Sequence, residues 1–257
     1  NLTGLIGAKI EASNPISVSN GNFNAIYTFE NFTNNDVLMD QSVPIERLGK
    51  DFILVKGNGP ALNNMESGLI VATEDNTKIT VNGTELGVIL NKGQYFIADS
   101  GFYLDKGNNH FNMSISTSEN VYLYQLLAGV DDANGNPYAT GGFNFIPALS
   151  CFLPNKIDEI SDINKIGNDF FNAKLNVITE KGADVFVNGT KLGGTQGPFP
   201  VTGNPNWETY NVLQVTGNIT VNSTKAVTAG IASGNGAVGY GGYFAGFNSN
   251  PIISKGG

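Results

Sequence analysis

The sequence predicts an all-β fold made of tandem antiparallel β-sandwich-like units. Short segments rich in Val, Ile, Thr, Tyr and Phe alternate with turn residues such as Asn, Gly and Asp along most of the chain. No window of roughly eleven residues or more shows the helical period of about 3.6 residues. A propeller-like ring is the alternative, because about eight strands per repeat would also make two four-stranded blades.

Two motifs show that the chain repeats itself. The string VNGTELG at residues 81–87 returns as VNGTKLG at residues 187–193. A second motif occurs as IEASNPI at 10–16, as ISTSENV at 115–121 and as VNSTKAV at 221–227. Both motifs give a repeat of about 106 residues, which is long enough for each copy to bury its own core.

This repeat predicts three segments. Residues 1–40 carry only the late part of a unit, so they form either a partial repeat or strands that close a sheet. A first β unit is expected at 41–150 and a second at 151–257.

Each full unit is predicted to contain short strands in the same order. The strands of the first unit are expected at 52–55, 68–72, 78–81, 86–90, 94–97, 111–115 and 121–127. Those of the second unit are expected at 170–178, 184–187, 209–215, 219–221 and 226–231. The apolar run at 121–127 is typical of a strand that is buried on both faces.

Turn residues separate these predicted strands. The Asn-Gly pairs at 82–83 and 188–189 predict turns with positive φ. Residues 91–93 (NKG) predict a hairpin turn, and 118–120 (SEN) predict another turn. The segment 156–165 is expected to form one short helical turn between the units.

The composition limits the classes of partner. The net charge is −8, only 14% of residues are charged, and no run of basic residues occurs, which argues against nucleic acid. No stretch reaches the roughly 18 apolar residues of a membrane span. Cys151 is the only cysteine, so no disulfide can form within the chain, and a buried apolar role is expected for it.

Aromatic residues are the candidate ligand-binding residues. Trp207 is the only tryptophan, and together with Tyr210 it could stack on the apolar face of a sugar ring. Tyr240 and Tyr243 lie in a segment that mixes glycines with aromatic residues, which suggests a contact loop. In each case the alternative is packing, with Trp207 as a loop anchor on the core and the glycine-rich segment as a tightly packed strand.

A calcium loop is the candidate metal site, and no other cofactor is predicted. Asp132, Asn134 and Asn136 place oxygen ligands at alternate positions, and Asp131 adds a neighbouring carboxylate. The sixth and twelfth positions of a calcium loop that starts at Asp132 lack the required Gly and Glu, so a polar hairpin loop is the alternative. His110, the only histidine, is predicted to be a surface or turn histidine.

Several segments resemble the IgGFc-binding protein N-terminal domain family. Residues 10–22 resemble the family segment IxAxxPIxVxSGN, 48–55 resemble LGKxFxV, and 70–81 resemble IxATEDNTxVxV. Residues 93–96 and 121–125 extend the match in the order of the family. The resemblance covers most of residues 5–150. It weakens after residue 170, where TEKGAD takes the place of TEDNTK.

The resemblance implies a non-enzymatic extracellular or cell-surface module, because the family has no accepted catalytic residues. Similar domains occur in large secreted proteins of Bacteroidetes-type bacteria, many of which carry a type IX secretion sorting domain and are linked to the cell surface or to gliding. A role in adhesion is therefore expected, with a protein or glycan on a surface as the partner. The family name alone does not imply antibody binding.

Other functions stay open at this point. A carbohydrate-binding module would use Trp207 and Tyr210 as its platform. A structural subunit of an extracellular filament would self-associate through exposed strand edges, whose unpaired amides and carbonyls accept another strand. A polysaccharide-active enzyme would need two carboxylates about 5–9 Å apart in a cleft.

Overall fold

The computed structural model of the protein describes residues 2–25, 36–59, 66–128, 141–150, 153–235 and 238–244. These residues form β-strands joined by turns and by short 3₁₀ segments at Leu2–Leu5, Ile45–Arg47, Ser100–Phe102 and Gly194–Gln196. The strands are β1 (Val18–Ala25), β2 (Asp36–Ser42), β3 (Gly49–Val55), β4 (Ser67–Ala72), β5 (Thr77–Val81), β6 (Thr84–Leu90), β7 (Tyr95–Ala98), β8 (Leu104–Asp105), β9 (Phe111–Ala128), β10 (Gly141–Phe145), β11 (Lys156–Ile160), β12 (Lys165–Ile166), β13 (Asp169–Phe170), β14 (Asn172–Glu180), β15 (Val185–Val187), β16 (Thr190–Lys191), β17 (Phe199–Pro200), β18 (Trp207–Leu213), β19 (Ile219–Ser223), β20 (Val227–Asn235) and β21 (Val238–Phe244).

Strands β3 to β10 form a first sandwich, in which the long strand β9 belongs to both layers. Its first half pairs with β3 and β5, giving a layer in the order β6-β5-β9-β3. Its second half pairs with β4 and β10, giving a layer in the order β7-β4-β9-β10. Phe52, Ile70, Ile115 and Leu123 are fully buried between the layers. Apolar packing of this kind is the main source of stability in a β-sandwich.

Strands β11 to β21 form a second sandwich with the same order of strands. One layer runs β16-β15-β19-β11, and the other runs β18-β14-β20-β21, with β17 beside β18. Leu175, Val177, Val221 and Val227 are buried between these layers. The prediction of an all-β fold with tandem sandwich-like units is therefore confirmed, and the described strands form face-to-face layers rather than the blades of a propeller.

The repeat of about 106 residues is visible in single hydrogen bonds. The backbone nitrogen of Asn82 donates to the Ser114 carbonyl over 3.0 Å, and the backbone nitrogen of Ser114 donates to Asn82 Oδ1 over 3.1 Å. Asn188 and Thr220 repeat both bonds, at 2.9 and 2.7 Å. Asn82 and Asn188 have φ values of 51° and 48°, and the glycine after each also has positive φ. The two predicted Asn-Gly turns are thus confirmed.

The N-terminal hairpin of β1 and β2 covers the outer face of the first sandwich. Leu69, Val71, Tyr124 and Phe145 form an apolar cluster on this face. Asn20 Nδ2 donates to the Tyr124 hydroxyl over 3.1 Å. Because the core lies on one side of β9 and the hairpin on the other, the second half of β9 is almost entirely buried, as its apolar sequence predicts.

Tyr124→Phe is expected to loosen this hairpin with a small loss of global stability. The change removes the hydroxyl that binds Asn20 and that lies 3.3 Å from Ser42 Oγ. One lost hydrogen bond costs about 1 kcal/mol. Amide hydrogen exchange should therefore speed up in β1 and β2, with little change elsewhere. The matched control is Tyr240→Phe, which removes a tyrosine hydroxyl bond in the second sandwich. Equal exchange in β1 and β2 of the two variants would contradict the anchoring role.

Three local predictions are wrong because sheet pairing overrides local turn signals. Residues 91–93 do not close a hairpin, since they join β6 in one layer to β7 in the other. Residues 118–120 lie within β9, which passes from one layer to the other there. The segment 156–165 begins with β11, not with a helical turn, because 156–160 pair with β19. Within the described parts of the chain, no helix has the length and apolar character needed to cross a membrane.

Candidate functional site

The two sandwiches pack against each other, with β3 of the first sandwich in contact with β14 of the second. Residues of β14 alternate, so Leu175 and Val177 point into the second core while Ile178 points toward the first sandwich. Ile178 meets Ile53 and Val55 of β3 in a small apolar cluster, and all three are at most 1% exposed. This cluster fixes one sandwich against the other.

A set of buried, hydrogen-bonded polar side chains around His110 forms a second contact between the sandwiches. Asn211 Nδ2 lies 3.0 Å from His110 Nδ1. An amide nitrogen can only donate, so His110 Nδ1 accepts and Nε2 donates to Thr209 Oγ1 over 2.7 Å. Asn112 Nδ2 also donates to Thr209 Oγ1. The His110 ring stacks on Phe199 with centroids 4.1 Å apart. These bonds join β18 to the start of β9 across the junction.

His110 is therefore buried, which corrects the surface alternative of the prediction but not the turn alternative. It does end a turn, whose residues 107–109 are exposed, but the His110 side chain itself lies against the second sandwich and is 0% exposed. Burial, together with the smaller effects of the positive charges of Lys174 and Lys106, lowers the pKa of His110 to about 3. The imidazole is thus neutral at physiological pH.

A close backbone approach completes the junction. The turn at Gly203 lies against the Asn82-Gly83 turn, and a Cβ at Gly203 would lie 2.5 Å from the Asn82 carbonyl carbon. Ser114 Oγ donates to the Thr202 carbonyl over 2.6 Å. Lys106 Nζ donates to Thr202 Oγ1 over 2.7 Å. The turn that carries the repeat motif of the first sandwich thus docks a turn of the second.

A cleft of about 360 Å³ opens at one end of this junction. The first sandwich contributes residues 56–59, Asn109 and Phe111. The second sandwich contributes Asn172, Lys174 and residues 213–214. The size falls in the range of small-ligand sites, about 300–1,000 Å³. We name this space the junction cleft, because neither sandwich forms it alone.

Two lysines and one glutamate set the charge of the junction cleft. Lys174 Nζ donates to the Lys56 carbonyl over 2.7 Å. Lys56 Nζ lies 5.5 Å from the centre of the Phe111 ring. Glu66 is 0% exposed, and its carboxylate accepts from the amide nitrogens of Gly57, over 2.6 Å, and Gly59, over 3.2 Å. The Glu66 carboxylate therefore holds the backbone of residues 57–59, the loop that follows Lys56.

Burial shifts the pKa of two of these groups toward neutrality. It raises the pKa of Glu66 to about 7, against the opposing effects of the Gly57 amide and of Lys56. It lowers the pKa of Lys174 to about 8, while the charge of Glu66 limits the drop. Burial therefore disfavours the charged forms of both Glu66 and Lys174, while the attraction between their opposite charges works against both shifts.

The predicted aromatic platform is not assembled in the structure. Trp207 and Tyr210 are three positions apart on β18, which places their side chains on opposite faces of the strand. Tyr210 is 3% exposed and lies in the second core. Trp207 is half-buried against the apolar cluster of the junction.

Tyr240 and Tyr243 are likewise three positions apart on β21 and face opposite ways. Tyr240 packs against the second core, and its hydroxyl donates to the Ile163 carbonyl over 2.6 Å. Tyr243 packs against the junction cluster, where a Cβ at Gly230 would lie 2.7 Å from its ring. Burial raises the pKa of the Tyr243 hydroxyl. The absence of a side chain at Gly230 therefore leaves room for the Tyr243 ring.

The candidate calcium ligands Asp131, Asp132, Asn134 and Asn136 lie outside the described residues, as does Cys151. Across the described ranges, no group of three or more His, Cys, Asp or Glu side chains is placed to hold a metal ion.

The residues of the junction cleft were missed by sequence reasoning. Lys56 and Lys174 are 118 positions apart, and no motif links them. One signal was available, since each lysine interrupts or ends an apolar strand, in FILVK at 52–56 and in NAKLNVIT at 172–179. A lysine in such a context is costly to bury unless it is paired.

Comparison with solved structures gives only remote likeness. An apo lectin of Pleurotus ostreatus is 12% identical with a TM-score of 0.21, covering 76% of this chain and 74% of the lectin. The Pleurotus ostreatus lectin in complex with GalNAc is 11% identical with a TM-score of 0.22, over 76% and 74%. An anti-sigma factor domain-containing protein is 10% identical with a TM-score of 0.19, over 70% and 77%. TM-scores this low do not indicate a shared fold.

No curated protein matches the chain in sequence. A family model does, and it is described as IgGFc binding protein. It covers residues 1–233, which include both repeat motifs and every residue that lines the junction cleft. Because the match spans most of the 257 residues, the chain belongs to the IgGFc binding protein family.

Proposed function

We propose that this chain is a non-enzymatic extracellular binding module whose ligand occupies the junction cleft. The observation that carries the proposal is the cleft itself, since both repeats contribute to it and the packed junction holds its two walls in place. Preorganised walls reduce the entropy lost on binding.

The chemistry of the lining supports recognition rather than reaction. Lys56 and Lys174 supply charge, Asn58, Asn109 and Asn172 supply amide donors and acceptors, and Phe111 supplies an apolar face. The described lining contains no pair of carboxylates that could act as general acid and base. Membership of a family named for binding is consistent with the same role.

An extracellular or cell-surface location belongs to this proposal, as does a place in a larger secreted protein of the Bacteroidetes type with a role in adhesion. The partner would be a protein or a glycan on a surface. The sparse charge of the chain, 14% of residues, suits a surface that binds water through amides and hydroxyls.

Blocking the cleft tests the proposal. Asn172 is exposed at the start of β14 and lines the cleft, so Asn172→Trp should fill part of it with an indole ring. The immobilised chain is screened against a glycan array and a panel of extracellular proteins that includes IgG Fc. Any ligand found should bind Asn172→Trp at least about tenfold more weakly, a loss of roughly 1.4 kcal/mol.

Thr190→Trp is the matched control, because Thr190 is exposed on β16, in the layer of the second sandwich that faces away from the junction. This variant should bind as the natural chain does. Failure to bind anything on either panel, equal loss in both variants, or turnover of a panel glycan would overturn the proposal.

A further inference from the structure

We propose that the N-terminal hairpin of β1 and β2 is a docking surface, and that the edge of β1 opposite β2 accepts an extended apolar strand of the type of β4 and β14. The strand comes from another unit of the same repeat. None of the hairpin residues lines the junction cleft, so this surface is independent of the proposed function. The proposal depends on the juxtaposition of a strand that is paired on one side with exposed apolar side chains on the outer face of the same hairpin.

The repeat identifies the counterparts of β1 in the two sandwiches. The motif that ends at residue 16 ends at residues 121 and 227 in its other copies, so β1 corresponds to the second half of β9 and to β20. Each of these strands forms an antiparallel pair with the strand that follows it, β10 or β21, as β1 does with β2. The three hairpins are therefore equivalent elements of the repeat.

Both counterparts of β1 have a strand on each side. The second half of β9 lies between β10 and β4, and β20 lies between β21 and β14. β4 and β14 thus occupy equivalent positions in the two sandwiches. Within the described ranges, β1 pairs with β2 alone. The other edge of β1 is therefore the position that a strand of this type would fill, through main-chain hydrogen bonds.

The sequence of β1 leaves this edge unprotected. Proteins usually guard an exposed edge strand with charged residues or proline, which oppose the addition of another strand. β11, which ends a layer of the second sandwich, carries Lys156, Asp158 and Glu159. β1 has the sequence VSNGNFNA, with no charge and no proline. The edge of β1 is thus compatible with an added strand.

The outer face of the hairpin is apolar and exposed. Asn20 and Leu38 are half-buried, and Asn20 contacts the first sandwich through the hydroxyl of Tyr124. The alternate side chains therefore face away from that sandwich. They include Phe23, which is 77% exposed, and Met39, which is 45% exposed. An apolar face of this kind next to an open edge favours an apolar strand as the partner.

The equivalent outer faces of both sandwiches are covered within the chain. The hairpin covers that of the first sandwich, where Tyr124 lies, and the first sandwich covers that of the second, where Ile178 lies. β4 contributes Leu69 and Val71 to the covered apolar cluster of the first sandwich. A strand of the β4 type beside β1 would likewise extend the apolar face that Phe23 begins. Continuity with these two contacts identifies a unit of the same repeat as the partner.

A strand peptide tests the proposal with the whole chain. The probe is a fluorescein-labelled peptide with the sequence of β14, NAKLNVITE, and a scrambled peptide of the same composition is its control. We expect the β14 peptide to bind about tenfold or more tightly than the scrambled one, as measured by fluorescence anisotropy. Hydrogen exchange should slow in β1 when the peptide is added and stay unchanged in β11, where the edge is charged.

Phe23→Asp should weaken binding of the β14 peptide about tenfold, because it removes an apolar contact and places a charge on the face beside the added strand. Phe170→Asp is the matched control. Phe170 is 63% exposed and also lies in a two-stranded hairpin, that of β12 and β13, so the same replacement is made on a different surface. This variant should bind the peptide as the natural chain does.

Equal binding of the two peptides, protection at strands other than β1, or equal effects of the two phenylalanine changes would contradict the proposal. A second copy of the chain is the competing occupant. If exchange in β1 slows without peptide as the chain concentration rises from about 5 to about 500 μM, the edge pairs with itself and the assigned partner is wrong. If Phe23→Asp fails to fold, hydrogen exchange of the natural chain with and without peptide decides.

Discussion

Gly203→Ala is expected to destabilise the protein by about 3 kcal/mol or more. Gly203 has φ of +81°, and a Cβ there would lie 2.5 Å from the Asn82 carbonyl carbon, 2.8 Å from Ser114 Oγ and closer still to the Gly83 nitrogen. These atoms belong to backbone and to a short side chain, so they cannot move aside without parting the two sandwiches. The cost therefore combines the left-handed backbone with overpacking at the junction.

Gly189→Ala separates these two contributions. Gly189 has φ of +79° and nothing within 4 Å of a Cβ. It belongs to the Asn188-Gly189 turn, the counterpart of the Asn82-Gly83 turn in the second sandwich, and no described residue packs against it. The same substitution should cost only about 1–2 kcal/mol there. Urea unfolding of both variants measures the difference.

Trp207 provides a second measurement of the junction. It is the only tryptophan and lies half-buried in the junction cluster, so its emission should shift to longer wavelength in Gly203→Ala and stay constant in Gly189→Ala. Equal losses of stability with unchanged emission would mean that the close approach of the turns does not exist in solution.

His110→Ala is expected to cost about 3 kcal/mol at pH 7. The change leaves a space beside Phe199, removes the partner of the buried Asn211 Nδ2, and takes one of two partners from the buried Thr209 Oγ1, which keeps Asn112. Unfolding by urea at pH 7 measures the loss directly. A cost below about 1 kcal/mol would mean that these groups find water or other partners.

The cost should shrink as the pH falls. The pKa of His110 is about 3 in the folded chain, because burial disfavours the imidazolium and Lys174 and Lys106 repel it, against an ordinary value of 6.5. Below pH 6.5 the unfolded chain therefore binds a proton that the folded chain does not. The stability due to neutral His110 is complete above pH 6.5 and declines toward pH 3. The decline reaches about 2 kcal/mol at pH 5.

Two measurements check this sign. The difference in unfolding free energy between the natural chain and His110→Ala should narrow between pH 7 and pH 5. The raised pKa of Glu66 makes the protein more stable as the pH falls, but this effect is present in both proteins and therefore drops out of the difference. Because His110 is the only histidine, its ring NMR signals can be followed alone, and they should not titrate between about pH 5 and 8. A midpoint near 6.5 in the folded chain would contradict the buried position.

The sequence by itself determined the all-β class, the repeat and its Asn-Gly turns. Asn-Gly pairs at 82–83 and 188–189 specify positive φ by local sterics, so the turns follow from two residues each. The apolar run of the second half of β9 also predicted burial on both faces, because apolar residues at successive positions leave no polar face.

Only the tertiary structure decided how the strands are shared between layers and what lies at the junction. Residues 91–93 have the chemistry of a hairpin turn, yet their flanking strands pair elsewhere, because hydrogen-bond partners are chosen by the whole sheet. Lys56 and Lys174 meet only when two sandwiches pack, and their separation of 118 residues leaves no local pattern to read. Short-range sterics fix turns and strand faces, whereas a site built between two repeats depends on long-range packing.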